Sequence, residues 1–143
     1  MILVIVKQPH LFRLNVRKSI TRHIFVSISH IRHELSQLET HLRKEIGALA
    51  EINQVSLEAE TSSLCEIIEV LTKAGLCDHP LFSKLTKLDA AICQLDIGVY
   101  GLCSDCESEI ESERLTLDPI EQRCANCAEQ YEHEHRQELR LTH

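Results

Sequence analysis

Four of the seven cysteines stand as two Cys-x-x-Cys pairs, Cys103/Cys106 and Cys124/Cys127, with seventeen residues between the pairs. Each pair lets a tight knuckle aim two sulfurs at one ion. The intervening residues bring the second knuckle back to complete a tetrahedron, so the spacing predicts one bound Zn²⁺. Four cysteines fill all four positions, which leaves none open for water. A zinc held in this way cannot generate a bound hydroxide, and its expected role is structural rather than catalytic. Two redox-active thiol pairs are the competing reading.

Charge narrows the partners. Net charge is −7. Residues 1–33 hold Lys7, Arg13, Arg17, Lys18, Arg22 and Arg32 with no acid, a local +6, while the remaining 110 residues sum to −13. A zinc tetrathiolate adds about −2 more. Phosphate contacts need a basic surface, so a body this acidic predicts no direct DNA binding and favours a basic protein surface as partner. The longest uninterrupted apolar run is Met1–Val6. That is far short of a membrane span or signal core, so no membrane association is expected. The expected compartment is the reducing cytoplasm, where paired cysteines take metal in preference to disulfides.

Aromatic residues make up only 3% of the chain and Trp is absent, which suits helices packed side by side. Residues 1–30 lack a clean period. They begin strand-like, are broken by Pro9, and read as a basic arm, a targeting-like segment or sequence lying upstream of the module. From Ile31 the pattern becomes helical: Ile31, Leu35, Leu38, Leu42, Ile46, Leu49, Ile52 and Val55 recur at steps of three and four. The stripe weakens over 59–63 and resumes at Leu64, Ile67, Ile68 and Leu71, with Gly75 as the stop signal. Asp78 is the expected N-cap of the next helix and Pro80 its first-turn residue. That helix carries Leu85, Leu88, Ile92, Leu95 and Val99 as a seam.

The expected fold is therefore mostly α: an antiparallel helical hairpin (coiled coil) over 31–99, a small four-cysteine zinc-finger subdomain over 100–132, and a C-terminal helix ending over 133–143. The last helix is expected to pack back on the first. The hairpin's second arm, residues 81–98, measures roughly 27 Å at 1.5 Å per residue. Cys65 and Cys93 are expected to behave as small hydrophobes, and Cys77 to be an exposed turn residue. His133 and His135, two apart on a helix, point to different faces and suggest no second metal.

The residues around the cysteines go beyond a generic zinc ribbon. Tyr100-Gly101-x-Cys103-x-x-Cys106, Ile110, Arg114-Leu115, Pro119 and Cys124-x-x-Cys127 together resemble the DksA/TraR family of bacterial zinc-finger regulators. The resemblance covers about residues 81–132 by motif and the upstream coiled coil by architecture. It implies a transcription regulator that binds RNA polymerase, with the hairpin entering the secondary channel and acidic residues at its tip approaching the active site. No enzymatic activity is expected, since there is no open metal position, no Gly-rich phosphate loop and no nucleophile–base pairing.

Three departures from the family pattern bear on function. No Asp-x-x-Asp-x-Ala tip motif is present. Turn chemistry puts the tip at Gly75–Pro80, with Asp78 and His79 as the residues expected to meet a partner, whereas the family's usual arm length points to Glu60–Ser63. Asp118 and Ala128 occupy positions that are basic in members responding to guanosine tetraphosphate, and only Lys87 matches that site, so a response to the nucleotide is doubtful. Neither knuckle has Gly after its second cysteine; Glu107 and Ala128 stand there instead. The alternative function is a zinc-stabilised interaction module whose partner is some protein other than RNA polymerase.

Overall fold

The computed structural model describes the backbone of residues 11–141 and the side chains of residues 28–141. Five helices follow one another: α1 (Leu11–Ile52), α2 (Leu64–Lys73), α3 (Pro80–Ile97), α4 (Ser112–Leu117) and α5 (Ala125–Leu141). Among the described residues there is no β-strand; Leu102 and Glu109 form an isolated antiparallel bridge. The strand-like reading of the first residues lies outside the described part. α1 passes through residues 30 and 31 without interruption.

Three helices end in the same way. After α1, the Val55 N–H reaches the Ala50 carbonyl at 2.8 Å and the Gln54 N–H reaches Glu51 at 3.1 Å, with Gln54 left-handed at φ 56°. After α2, Leu76 bonds Leu71 at 3.0 Å and Gly75 bonds Thr72 at 3.1 Å; after α3, Val99 bonds Gln94 at 2.8 Å and Gly98 bonds Leu95 at 3.3 Å. This paired closure satisfies carbonyls left over at a helix end and demands a positive φ. Glycine supplies it twice, and the Gly75 stop was expected. Gln54 supplies it once, so the stripe read through to Val55 breaks at Ile52.

The restart is equally local. Ser63 and Glu66 form a capping box: the Ser63 N–H donates to Glu66 Oε2 at 2.7 Å, and the Glu66 N–H donates to Ser63 Oγ at 3.3 Å. At the next start the N-cap is His79 rather than the expected Asp78. His79 Nδ1 accepts the Leu81 N–H at 3.2 Å, because Pro80 occupies the first helical position and so makes the residue immediately before it the cap.

α1 and α2 both pack on α3. The core joins Leu35, Leu42 and Ile46 of α1 with Ile67 and Leu71 of α2 and Leu85, Leu88, Ala91 and Leu95 of α3. Ala91 takes the innermost place where Ile92 was expected, and Ile92 is half-buried. Arg32 meets Asp96 at 3.1 Å near the finger end of the bundle. The link between α1 and α2 is strapped to α1 by Arg43, which donates to the Ala59 and Ser62 carbonyls at 2.7 Å each and pairs with Glu39 at 2.8 Å.

Two expectations are corrected here. Among the residues whose side chains are described, α5 buries none, and the stripe of α1 from Leu35 to Ile46 is covered by α3 with the link residues Leu57 and Ala59 instead. Cys65 and Cys93 are exposed, because the buried faces of their helices are set by Ile67/Leu71 and by Leu88/Ala91/Leu95. Cys77 is exposed as expected.

Candidate metal centre

The segment leaving α3 turns sharply at Gly101, whose φ of 86° suits glycine. Leu115 Cδ1 lies 3.5 Å from where a side chain on Gly101 would begin. The first knuckle then closes through Cys103 N–H to the Ser108 carbonyl at 2.8 Å and Glu107 N–H to the Cys103 carbonyl at 3.0 Å. Glu107 adopts φ 61°, the left-handed conformation for which the sequence offers no glycine. The second knuckle runs into α5, with Ala128 N–H bonded to the Cys124 carbonyl at 2.9 Å.

These turns bring the sulfurs of Cys103, Cys106, Cys124 and Cys127 within 4.8 Å of one another, and Cys106 Sγ lies 3.8 Å from Cys124 Sγ. A zinc tetrahedron with Zn–S bonds of ~2.3 Å has edges of ~3.8 Å, so the donor set fits the ion in both number and spacing. Cys103 and Cys124 are buried with Ile110 in a second small core, backed by Leu115 and Cys127. Burial opposes ionisation of Cys103, but N–H groups of Cys124, Cys106 and Asp105 outweigh it and bring its thiol down to about 6. Ser108 lowers Cys106 through its hydroxyl and N–H. Hydrogen bonds with Cys124 and Cys106 push Cys127 up. A cation bound by the four thiolates displaces their protons.

Each non-cysteine position that carried the family resemblance has a physical task here. Ile110 fills the finger core. Arg114 donates to the Arg123 carbonyl at 3.3 Å and pairs with Glu121 at 3.1 Å. The Tyr100 hydroxyl donates to the Pro119 carbonyl at 2.6 Å, and burial is the main cause that pushes it up to about 12. Residues that the sequence reading missed complete the docking of finger on hairpin. Ile120 enters the hairpin core. The buried Gln122 accepts from Gln94 Nε2 at 2.8 Å and donates to the Ile120 carbonyl at 3.2 Å, and its backbone carbonyl accepts the Ser104 N–H at 2.8 Å. Glu111 accepts the Ala125 N–H at 3.1 and 3.2 Å, holding the start of α5. An acid one residue after Ile110 was the available signal for this cap, but its partner lies fourteen residues away.

Asp78 and His79 lie together in the α2–α3 turn, Asp78 exposed and His79 half-buried. Glu60–Ser63, the other tip considered, is the strap bound by Arg43 and the entry to α2. His133 and His135 are both exposed on α5. Among the described residues the four cysteines are the sole cluster with metal-ligand geometry, and no helix is long and apolar enough to cross a membrane.

The fold and the site together define a helical protein that carries a four-cysteine zinc finger docked against the end of a helical bundle. Residues 98–133 match the prokaryotic DksA/TraR C4-type zinc finger, and the chain carries a finger of that family. Across 50 residues it is 40% identical to an uncharacterized protein of Aquifex aeolicus (strain VF5), a match spanning 35% of this chain and 34% of that protein. The fold is similar to that of transcription factor DksA2 from Pseudomonas aeruginosa, with a TM-score of 0.52 over 78% of this chain and 87% of that one, at 24% identity.

Proposed function

We propose that this chain is a cytoplasmic transcription regulator that binds RNA polymerase through the secondary channel, with zinc as a structural ion. The observation that carries the reading is the DksA/TraR finger at 98–133 joined to a bundle of DksA2-like fold. The acidic body agrees with a protein partner better than with DNA. In this reading the α2–α3 turn, with Asp78 exposed and His79 capping α3, is the end presented to the polymerase. The finger contributes rigidity. Its four thiolates fill the coordination sphere, so zinc supplies a crosslink between the knuckles and no chemistry. Enzymatic activity forms no part of this reading.

Guanosine tetraphosphate is expected to have little effect. Asp118 and Ala128 provide no cation for its phosphates, and Lys87 alone is a weak anchor. The test is capture of core RNA polymerase by the zinc-loaded chain, repeated with Asp78→Asn and with the turn 75–79 shortened. Binding by the native protein that weakens in both variants supports the proposal. No binding by the intact zinc-loaded chain defeats it, and unbiased purification yielding another protein without polymerase subunits then favours the interaction-module alternative. Arm α3 is only 18 residues long, which is the specific reason to keep that alternative in the experiment.

A further inference from the structure

Every residue of α5 from Glu129 to Leu141 is exposed, while its first turns are gripped. Cys127 packs on the finger core, and the Glu111 carboxylate accepts the Ala125 N–H. A further grip is Arg123. Its Nε donates to Asp105 Oδ2 at 2.7 Å, and Asp105 lies inside the first knuckle, between Cys103 and Cys106. Its guanidinium carbon sits 4.0 Å from the centroid of the Tyr131 ring on α5. The Tyr131 ring is in turn parallel to His135, with centroids 6.0 Å apart and an angle of 5°, and His135 Nδ1 lies 3.7 Å from Glu138.

We propose that Arg123 is a pin that ties the direction of α5 to closure of the zinc site. It immediately precedes Cys124, so its backbone belongs to the second knuckle while its side chain holds the first. When the ion draws the knuckles together, Asp105 and Arg123 are fixed relative to each other, and the planar guanidinium offers Tyr131 one surface to stack on. A lysine would keep the charge but not the flat fork that can bind a carboxylate and cover a ring at once. Arg123 is thus a positioning residue: it touches no metal and acts through Tyr131. This inference stands whether or not the partner is RNA polymerase.

The experiment is hydrogen–deuterium exchange of peptides covering 128–141 in the full zinc-loaded chain, with zinc content measured for each variant. A cation–π contact and a partly exposed ion pair predict about three- to tenfold faster exchange in Arg123→Ala at one zinc per chain. Tyr131→Leu is expected to match it, Tyr131→Phe to resemble the native chain, and Arg123→Lys to fall between. Combining Arg123→Ala with Tyr131→Leu adds little, because both remove the same contact. Chelating zinc from the native chain speeds exchange over 128–141 at least to the Arg123→Ala level, since it releases Cys127 and Glu111 as well. Unchanged exchange in zinc-loaded Tyr131→Leu, independent effects in the double variant, or exchange insensitive to chelation would each overturn the proposal. Should Arg123→Ala fail to hold zinc, Tyr131→Leu decides alone, since it leaves the Asp105–Arg123 pair in place.

Discussion

Gln54 and Glu107 occupy left-handed backbone, at φ 56° and 61°, without the freedom of glycine. Each is held there by its surroundings: Gln54 by the double closure at the end of α1, and Glu107 by the first knuckle, where its N–H bonds the Cys103 carbonyl. The strain of such a residue is of the order of 1 kcal/mol, and glycine recovers most of it despite its larger unfolded-state entropy. Gln54→Gly and Glu107→Gly should therefore each raise stability by about 0.5–1 kcal/mol, read from denaturant midpoints of the zinc-loaded protein. Loss of stability in Gln54→Gly would show that its side chain does more than fill a turn. These two residues mark where the sequence was legible and where it was not. The missing glycine after Cys106 was visible against the DksA/TraR pattern. Nothing distinguishes Gln54, because Gln rarely takes this conformation and the apolar stripe continues to Val55.

At the scale of elements, a short polar run outweighed periodicity. The apolar steps of three and four from Ile31 to Leu71 fit one long helix with a weak patch, and they locate the buried face correctly at Leu35, Leu42, Ile46, Ile67 and Leu71. The chain instead breaks into α1 and α2, since Ser63 and Glu66 satisfy N–H groups only a helix start would leave free. The Ser-x-x-Glu spacing was readable; its position inside an apolar stripe concealed it. Arg43, half-buried and bonded to two carbonyls of the strap, could not be read at all, because its partners lie 16 and 19 residues away. Ser63→Ala removes the cap and should cost about 1 kcal/mol, with loss of helicity confined to the first turn of α2. Amide exchange checks this: faster exchange at Cys65 and Glu66 with α3 unchanged is the expected pattern, and uniform loosening of α3 would mean the cap supports the whole hairpin.

Across the whole molecule, two cores of different character share no member. The hairpin core is aliphatic and extends from Leu35 to Leu95, while the finger core is Cys103, Ile110 and Cys124, with Leu115 and Cys127 packed on it. Three apolar or half-apolar residues cannot order some thirty residues by burial alone, since each ordered residue costs about 1–2 kcal/mol of backbone entropy. Zinc must supply the difference in the finger, as binding energy there is folding energy. The hairpin has no such dependence. Ile120 and Gln122, together with the Tyr100–Pro119 hydrogen bond, join the two parts, and these contacts fail once residues 119–122 lose their frame. Removing zinc with a strong chelator should therefore leave α1, α2 and α3 folded while 101–127 becomes protease-sensitive. Far-ultraviolet circular dichroism should retain most of its helical signal, and limited proteolysis should cut first between Cys103 and Cys127. Cys103→Ser should reproduce the cut in the presence of zinc. A single cooperative collapse of both parts on chelation would show instead that the junction at Ile120 and Gln122 makes one folding unit of two cores.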